Sequence, residues 1–174
     1  MKIAFTGAHR VGKTTLAEKI GESLRESIFI PEPYVELEAR GQLFSETPGL
    51  EDFSIQLEHA IETSAIDEPD VIFDRSPLDL MAYVYVTGGA TAARNFYSRV
   101  KEAIEELDLL VFVPIEQPDL IGCPDNEFPD LRKKVNDLIE EWITGFDVEI
   151  LTARGTLAQR EEAVLRTVLE MSED

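Results

Sequence analysis

The chain has 174 residues, enough for one domain of ordinary core size, with little room for a second. Sixteen Lys and Arg against 35 Asp and Glu leave a net charge of −19, which argues against surfaces that coat nucleic acid or cling to anionic membranes, since both need clustered basic residues. Cys123 is the single cysteine, so an intrachain disulfide and a cysteine zinc cluster are both excluded, and it reads as a small apolar filler.

Met1-Lys2-Ile3-Ala4-Phe5 runs straight into a strand pattern, without a charged region followed by a long apolar stretch. No apolar run approaches the roughly 18 residues that span a bilayer, so a cytoplasmic protein is expected. After the first strand, a helical pattern covers Lys13 to Glu26. Ile28-Phe29-Ile30 is a second strand, closed by Pro31-Glu32-Pro33. Pro48-Gly49 separates a short helix near Val35–Arg40 from a longer one near Glu51–Ile66. Val71-Ile72-Phe73 is the third strand. Ser76-Pro77-Leu78-Asp79 then offers an N-cap, a proline at the first helical position and an acid three residues after the cap. Gly88-Gly89 should stop that helix, and Thr91 should cap another reaching Leu107. Leu109–Val113 is the fourth strand, Phe128–Lys134 opens a further helix, and Val148–Leu151 is a weaker fifth strand. Thr156-Leu157-Ala158-Gln159 is a second capping-box pattern and starts a helix running to Met171. Apolar runs that are continuous rather than alternating suit strands buried on both faces, and the β-α-β alternation predicts one α/β domain over residues 1–174 with helices on both faces of a parallel sheet. Ligands in such sheets sit at the carboxyl ends of the strands.

Gly7-Ala8-His9-Arg10-Val11-Gly12-Lys13-Thr14 matches G-x-x-x-x-G-K-[ST] at every fixed position. A loop of this length wraps a β-phosphate in backbone N–H groups, and its glycines allow the necessary dihedrals and close approach. The following helix aims its positive end at the same phosphates. Lys13 reaches the β- and γ-phosphate oxygens, Thr14 offers a hydroxyl to Mg²⁺, and Thr15 continues the nucleotide-contacting run. His9 and Arg10 stand at the loop tip, where side chains usually face solvent. The guanine-reading pattern Asn/Thr-Lys-x-Asp is absent, which favours ATP.

Asp74 closes an apolar strand, the form expected of the partner acid that organises the metal; the other reading is an ordinary loop or capping aspartate. Arg75 follows at once, suited to phosphate oxygens or to a surface ion pair. Glu32, rigidified by two prolines at the end of the second strand, is a candidate general base or a commonplace strand-end charge. Arg132-Lys133-Lys134 is the densest basic cluster in an acidic chain, able to stabilise transition-state charge or to form a solvated helix face. Gln56 could read a nucleobase or amide edge but is expected to be solvated. Trp142, Phe146, Tyr83, Tyr85 and Tyr97 are expected in core or half-buried packing.

Together the phosphate loop, Glu32-Pro33, Asp74-Arg75-Ser76 and Arg132-Lys133 resemble the nucleoside and nucleotide kinase group of P-loop proteins. Asp74-Arg75-Ser76-Pro77-Leu78-Asp79 is similar, more narrowly, to the ATPase domains related to ribosylnicotinamide kinase. The resemblance implies a three-layer α/β/α sandwich with a five-stranded parallel sheet in the order 2-3-1-4-5, and a mobile lid near residues 116–134. It implies that Glu32 is the base or a metal-linked acid and that Arg75 touches the acceptor or the γ-phosphate. It places adenine against Ala153-Arg154-Gly155-Thr156, so that Gly155 and Thr156 join the nucleotide contacts.

The expected activity is therefore an ATP- and Mg²⁺-dependent kinase acting on a small nucleoside- or nucleotide-like acceptor, as a monomer or homodimer. Lys13, Glu32, Asp74, Arg75 and Arg132 would carry the chemistry, with Thr14 and Asp74 toward the metal. A nucleoside triphosphatase with water as acceptor, and a nucleotide-responsive regulatory module with little turnover, are the alternatives.

Overall fold

The structure is a computed structural model and describes residues 1–119 and 121–173. Five strands form one parallel sheet: β1 (Lys2–Thr6), β2 (Ile28–Ile30), β3 (Val71–Phe73), β4 (Leu109–Phe112) and β5 (Glu149–Thr152), in the order β2-β3-β1-β4-β5. β1 and β4 lie inside the sheet and read as nearly unbroken apolar runs because both faces are covered. The edge strands β2 and β5 are only half-buried, which explains why β5 carries the weakest sequence signal.

Helices α1 (Lys13–Ser23), α2 (Pro33–Ala39), α3 (Leu50–Ser64), α4 (Pro77–Arg94), α5 (Tyr97–Glu105), α6 (Pro129–Trp142) and α7 (Leu157–Glu173) complete the three-layer sandwich. α1 packs on α7, while α4 packs on α3, α5 and α6. Two of these boundaries have clear local causes. Ser76 caps α4 by accepting a hydrogen bond from the Leu78 N–H at 3.2 Å, and Asp79 accepts from the Ser76 N–H at 3.2 Å. At α7 the Thr156 N–H donates to Gln159 Oε1 at 2.9 Å, the reciprocal half of the predicted box.

The region after Ser76 differs from expectation. Gly89 does leave helical geometry, with φ 79° and ψ 176°, but the chain re-enters the helix at once and α4 continues to Arg94. The break before α5 falls at Asn95–Phe96, so the single helix expected from Thr91 to Leu107 is two pieces. Tyr85 and Tyr97 are exposed rather than packed inside, and Cys123 is half-buried in a polar setting rather than filling an apolar gap. Leu120, inside the segment expected to act as a lid, and Asp174 lie outside the described residues. No helix among the described residues is long and apolar enough to cross a membrane.

Every segment leaving the carboxyl end of a strand meets at one edge of the sheet: the phosphate loop after β1, Glu32 after β2, Asp74-Arg75 after β3, Glu116 after β4 and Gly155 after β5.

Candidate active site

The phosphate loop rises from β1 and turns into α1. Gly7 has φ 150°, and a Cβ there would lie 2.4 Å from the Val113 carbonyl oxygen, so the loop's entry requires the missing side chain. Gly12 adopts the left-handed conformation at φ 86° immediately before α1. Lys13 is buried and donates from Nζ to the Ala8 carbonyl at 2.7 Å, folding back across its own loop. Burial, then the neighbouring Arg75, pulls its pKa down to about 8, opposed by Asp79, Glu32 and Asp74.

Two buried arginines hold the loop from outside. Arg132, 4% exposed on α6, donates from Nε to the His9 carbonyl and from Nη2 to the Arg10 carbonyl, both at 2.9 Å. Its Nη1 donates to Asp119. Arg160, 6% exposed on α7, donates from Nη1 to the Val11 carbonyl at 2.8 Å and from Nη2 to Glu116 Oε1 at 3.1 Å. Three successive loop carbonyls are thus engaged away from the phosphate side, and each arginine is neutralised by a carboxylate from the stretch after β4. Arg132 holds the Asp119 carboxyl below its ordinary range. Glu116 is also held low: burial works against it, but the Gly155 N–H at 2.7 Å and Arg160 prevail.

Sequence reasoning missed Arg160, Glu116 and Asp119. The strand-end rule could have found Glu116, which follows β4 closely. An isolated arginine in an amphipathic helix gives no such signal. Arg132 was expected near transferring charge; the structure engages its guanidinium with two loop carbonyls and Asp119. Thr156 caps α7 through its N–H and hydroxyl, and the Gly155 N–H is taken by Glu116.

Asp74 is buried at the end of β3 beside Thr14, whose side chain favours the ionised carboxylate, and its Oδ1 has no partner among the described residues. Burial raises its pKa to about 6, with Glu32 adding to the rise and Thr14, Lys13 and Arg75 opposing it. A hard dication takes oxygen donors, and a hydroxyl beside a buried carboxylate with a free oxygen is the donor set that Mg²⁺ would need. These residues fit it.

Arg75 has φ 148°, a strained value for a residue with a side chain. The strain sends its guanidinium between Glu32 Oε2, 3.3 Å from Nε, and Asp79 Oδ2, 3.6 Å away. Burial depresses its pKa, but Asp79 and Glu32 more than compensate, and it stays charged throughout. The guanidinium carbon also sits 5.4 Å from the Tyr83 ring centroid.

Two cavities at this edge border the phosphate loop. One cavity of about 270 Å³ is lined by Gly12, Thr15, Glu116, Gly155, Leu157 and Arg160. A second, also about 270 Å³, is lined by His9, Glu32, Phe53, Gln56, Arg75 and Tyr83 among others. The two share no lining residue. Phe53 stacks on Tyr83 at 4.6 Å between centroids, giving the second cavity a flat aromatic wall. Gln56, expected to be solvated, is 5% exposed and faces this cavity, because α3 lies across the cleft rather than on the surface. His9 is likewise not solvated: its ring joins Tyr83 and the Glu127 carbonyl, each at 2.7 Å. A larger groove of about 530 Å³, lined by Met81, Tyr85, Tyr97, Trp142 and Phe146, contains no phosphate-loop residue and lies apart from this chemistry.

A family model described as an AAA domain matches residues 2–160. No curated protein matches the chain in sequence. Solved structures do. A deoxyadenosine kinase from M. mycoides with the products dCMP and dCDP is 15% identical at a TM-score of 0.67, covering 98% of this chain and 100% of that one. The NadR protein in complex with NR is 15% identical at a TM-score of 0.72, covering 97% of this chain and 50% of that one, so this chain spans half of NadR. Shikimate kinase from Aquifex aeolicus is 16% identical at a TM-score of 0.58, covering 99% and 98%. The shared sandwich is the P-loop kinase fold.

Proposed function

The chain belongs to this AAA-domain family, and from that premise we propose that it is an ATP-dependent kinase acting on a hydroxyl of a phosphate-free, nucleoside-like acceptor. The observation that carries this reading is the pair of cavities. A triphosphatase using water needs only the one beside Gly12, Thr15 and Gly155, whereas the second opens onto Glu32 and Arg75 and is large enough for a small organic ring.

The chemistry of the second cavity supports the acceptor class. Its Phe53–Tyr83 wall suits a flat heterocycle. The side-chain amide of Gln56 makes no hydrogen bond among the described residues, so it is available to a complementary amide or nucleobase edge. Arg75, which lines this cavity, already faces Glu32 and Asp79, and Arg10 nearby is paired with Glu127 at 2.7 Å. Little positive charge is left for a phosphate on the acceptor itself, which favours a nucleoside over a nucleotide.

The transfer is an in-line displacement. The acceptor hydroxyl oxygen bonds to the γ-phosphorus, and the bond from that phosphorus to the β,γ-bridging oxygen breaks. The hydroxyl proton passes to Glu32, and ADP departs. Lys13 exchanges the Ala8 carbonyl for β- and γ-phosphate oxygens, and Arg75, beside Glu32, holds that carboxylate in place to take the proton. The loop amides, held by Arg132 and Arg160, bind the β-phosphate. Thr14 and Asp74 would hold Mg²⁺, which supplies Lewis-acid neutralisation of phosphate charge when bound. Residues 116–134 act as the lid, closing on the loop through Glu127 and Arg132, the latter held by Asp119 of the same segment.

ADP release from ATP and Mg²⁺, measured across a panel of nucleosides and other hydroxylated rings, tests this reading. At least one nucleoside should accelerate release well above the rate in water alone, and Glu32→Gln should remove the acceleration. Equal rates with and without every acceptor would favour the triphosphatase, and nucleotide binding without turnover would favour a regulatory module.

A further inference from the structure

The peptide unit joining Ala8 to His9 is engaged on both edges. Its carbonyl oxygen accepts the hydrogen bond from Lys13 Nζ at 2.7 Å, and its N–H donates to the Tyr83 hydroxyl oxygen at 2.8 Å. A peptide bond is planar and strongly resists twisting. The two partners therefore cannot move independently: displacing the tyrosine hydroxyl tilts the plane that carries the lysine's acceptor.

The remaining bonds at His9 fix the direction of this link. The Glu127 carbonyl can only accept, so His9 Nε2 carries the proton and donates to it at 2.7 Å. In a neutral ring Nδ1 is then the acceptor, and the Tyr83 hydroxyl donates to it at 2.7 Å. Burial lowers the His9 pKa to about 4, with Lys13, Arg75 and Arg132 also against protonation and the Glu127 carbonyl for it. The Tyr83 hydroxyl thus gives its proton to the ring and receives one from the peptide of the same residue. Tyr83 is 2% exposed, stacked on Phe53 and lying beneath the Arg75 guanidinium, all three lining the second cavity. Glu127 is tied down a second time by Arg10. An occupant of that cavity presses on the tyrosine ring at one end of a rigid chain that finishes at Lys13.

We propose that Tyr83 and His9 are positioning residues that couple occupancy of the acceptor cavity to the grip of Lys13 on the triphosphate, so that transfer to water is slow until an acceptor is seated. The coupling rests on the kinase reading above. Being a linkage between two ligands, it is reciprocal, and such couplings typically change affinity by roughly 5- to 150-fold. The substitution of choice is Tyr83→Phe, which keeps the ring and its stacking and removes only the hydroxyl, with His9→Asn as a second variant.

Two readouts test the link. The first is calorimetric titration of a non-hydrolysable ATP analogue with Mg²⁺, with and without a saturating acceptor from the panel. The wild-type protein should bind the analogue roughly fivefold or more tighter when the acceptor is present. Tyr83→Phe should lose that ratio and show a higher share of ADP formed without phosphorylated acceptor. Retention of the full ratio and an unchanged share in both variants would overturn the proposal. The second readout needs no acceptor: wild type and Tyr83→Phe are titrated with the ATP analogue and with ADP, each with Mg²⁺, and the substitution should change the affinity for the analogue by more than the affinity for ADP, because Lys13 reaches the γ-phosphate. Such a change without any acceptor-stimulated turnover would defeat the kinase reading and leave the Tyr83-to-Lys13 link standing. Unchanged affinity for both nucleotides together with acceptor-stimulated turnover would defeat the link alone.

Discussion

Asp74 and Lys13 are both held against their own charge. Asp74 is raised to about 6 and Lys13 lowered to about 8, in each case chiefly by burial. For Asp74 the consequence for stability has a definite sign. Below pH 3.8 it is protonated in both the folded and unfolded chain. Between 3.8 and about 6 the folded chain holds a proton that the unfolded chain releases, so stability falls as pH rises through that window. Above it the full penalty persists, at most about 3 kcal/mol for a shift of this size. Asp74→Asn should therefore raise the melting temperature at pH 7 and flatten the stability profile between pH 4 and 6, while abolishing Mg²⁺-dependent nucleotide binding. Calorimetric melting across that range checks it, and a variant that melts lower at pH 7 would show that Asp74 is structural. Ligand-free protein should bind Mg²⁺–ATP best between the two midpoints, where Asp74 is ionised and Lys13 protonated. Among single residues, Lys13, Thr14 and Asp74 are legible in the sequence because a motif or a strand end marks them. Gln56, Tyr83 and Arg160 are not, because their roles come from which way a helix faces after folding.

At the scale of elements, the loop's shape is maintained by α6 and α7. Arg132 and Arg160 together engage the carbonyls of His9, Arg10 and Val11, and their carboxylate partners come from the segment following β4. Arg160→Gln leaves the Val11 carbonyl short of a charged donor and Glu116 short of a partner, at a cost of about 2–4 kcal/mol. It should weaken Mg²⁺–ATP binding by more than the thermal destabilisation alone explains, because the amide cradle loses its brace. Titration calorimetry under conditions where the variant is fully folded checks this; unchanged affinity would make Arg160 a packing residue. Element existence was readable from continuous apolar runs and caps. The splitting of the stretch after Gly89 was not, because a glycine pair signals a break but not that α4 resumes beyond it. The strand order came from the family resemblance, since apolar runs say which segments are strands but not which are neighbours.

Taken whole, the molecule gathers its few cations where an anion must go. Against a net charge of −19, Lys13, Arg75, Arg132 and Arg160 all lie buried at the carboxyl edge of the sheet. Each of the arginines is matched by a carboxylate, so Lys13 and the loop amides are the groups left to meet an anionic ligand inside a repulsive surface. The composition announced the second half of that arrangement and the phosphate loop the first, but the hollow beside Glu32 and Arg75 exists only in three dimensions. That hollow is the basis for assigning phosphoryl transfer, so the nature of the phosphorus product is the sharpest test. Phosphorus NMR of a reaction containing ATP, Mg²⁺ and an accelerating nucleoside should show ADP and a new phosphate monoester coupled to acceptor protons, absent with Lys13→Ala. ADP accompanied only by inorganic phosphate would contradict the assignment.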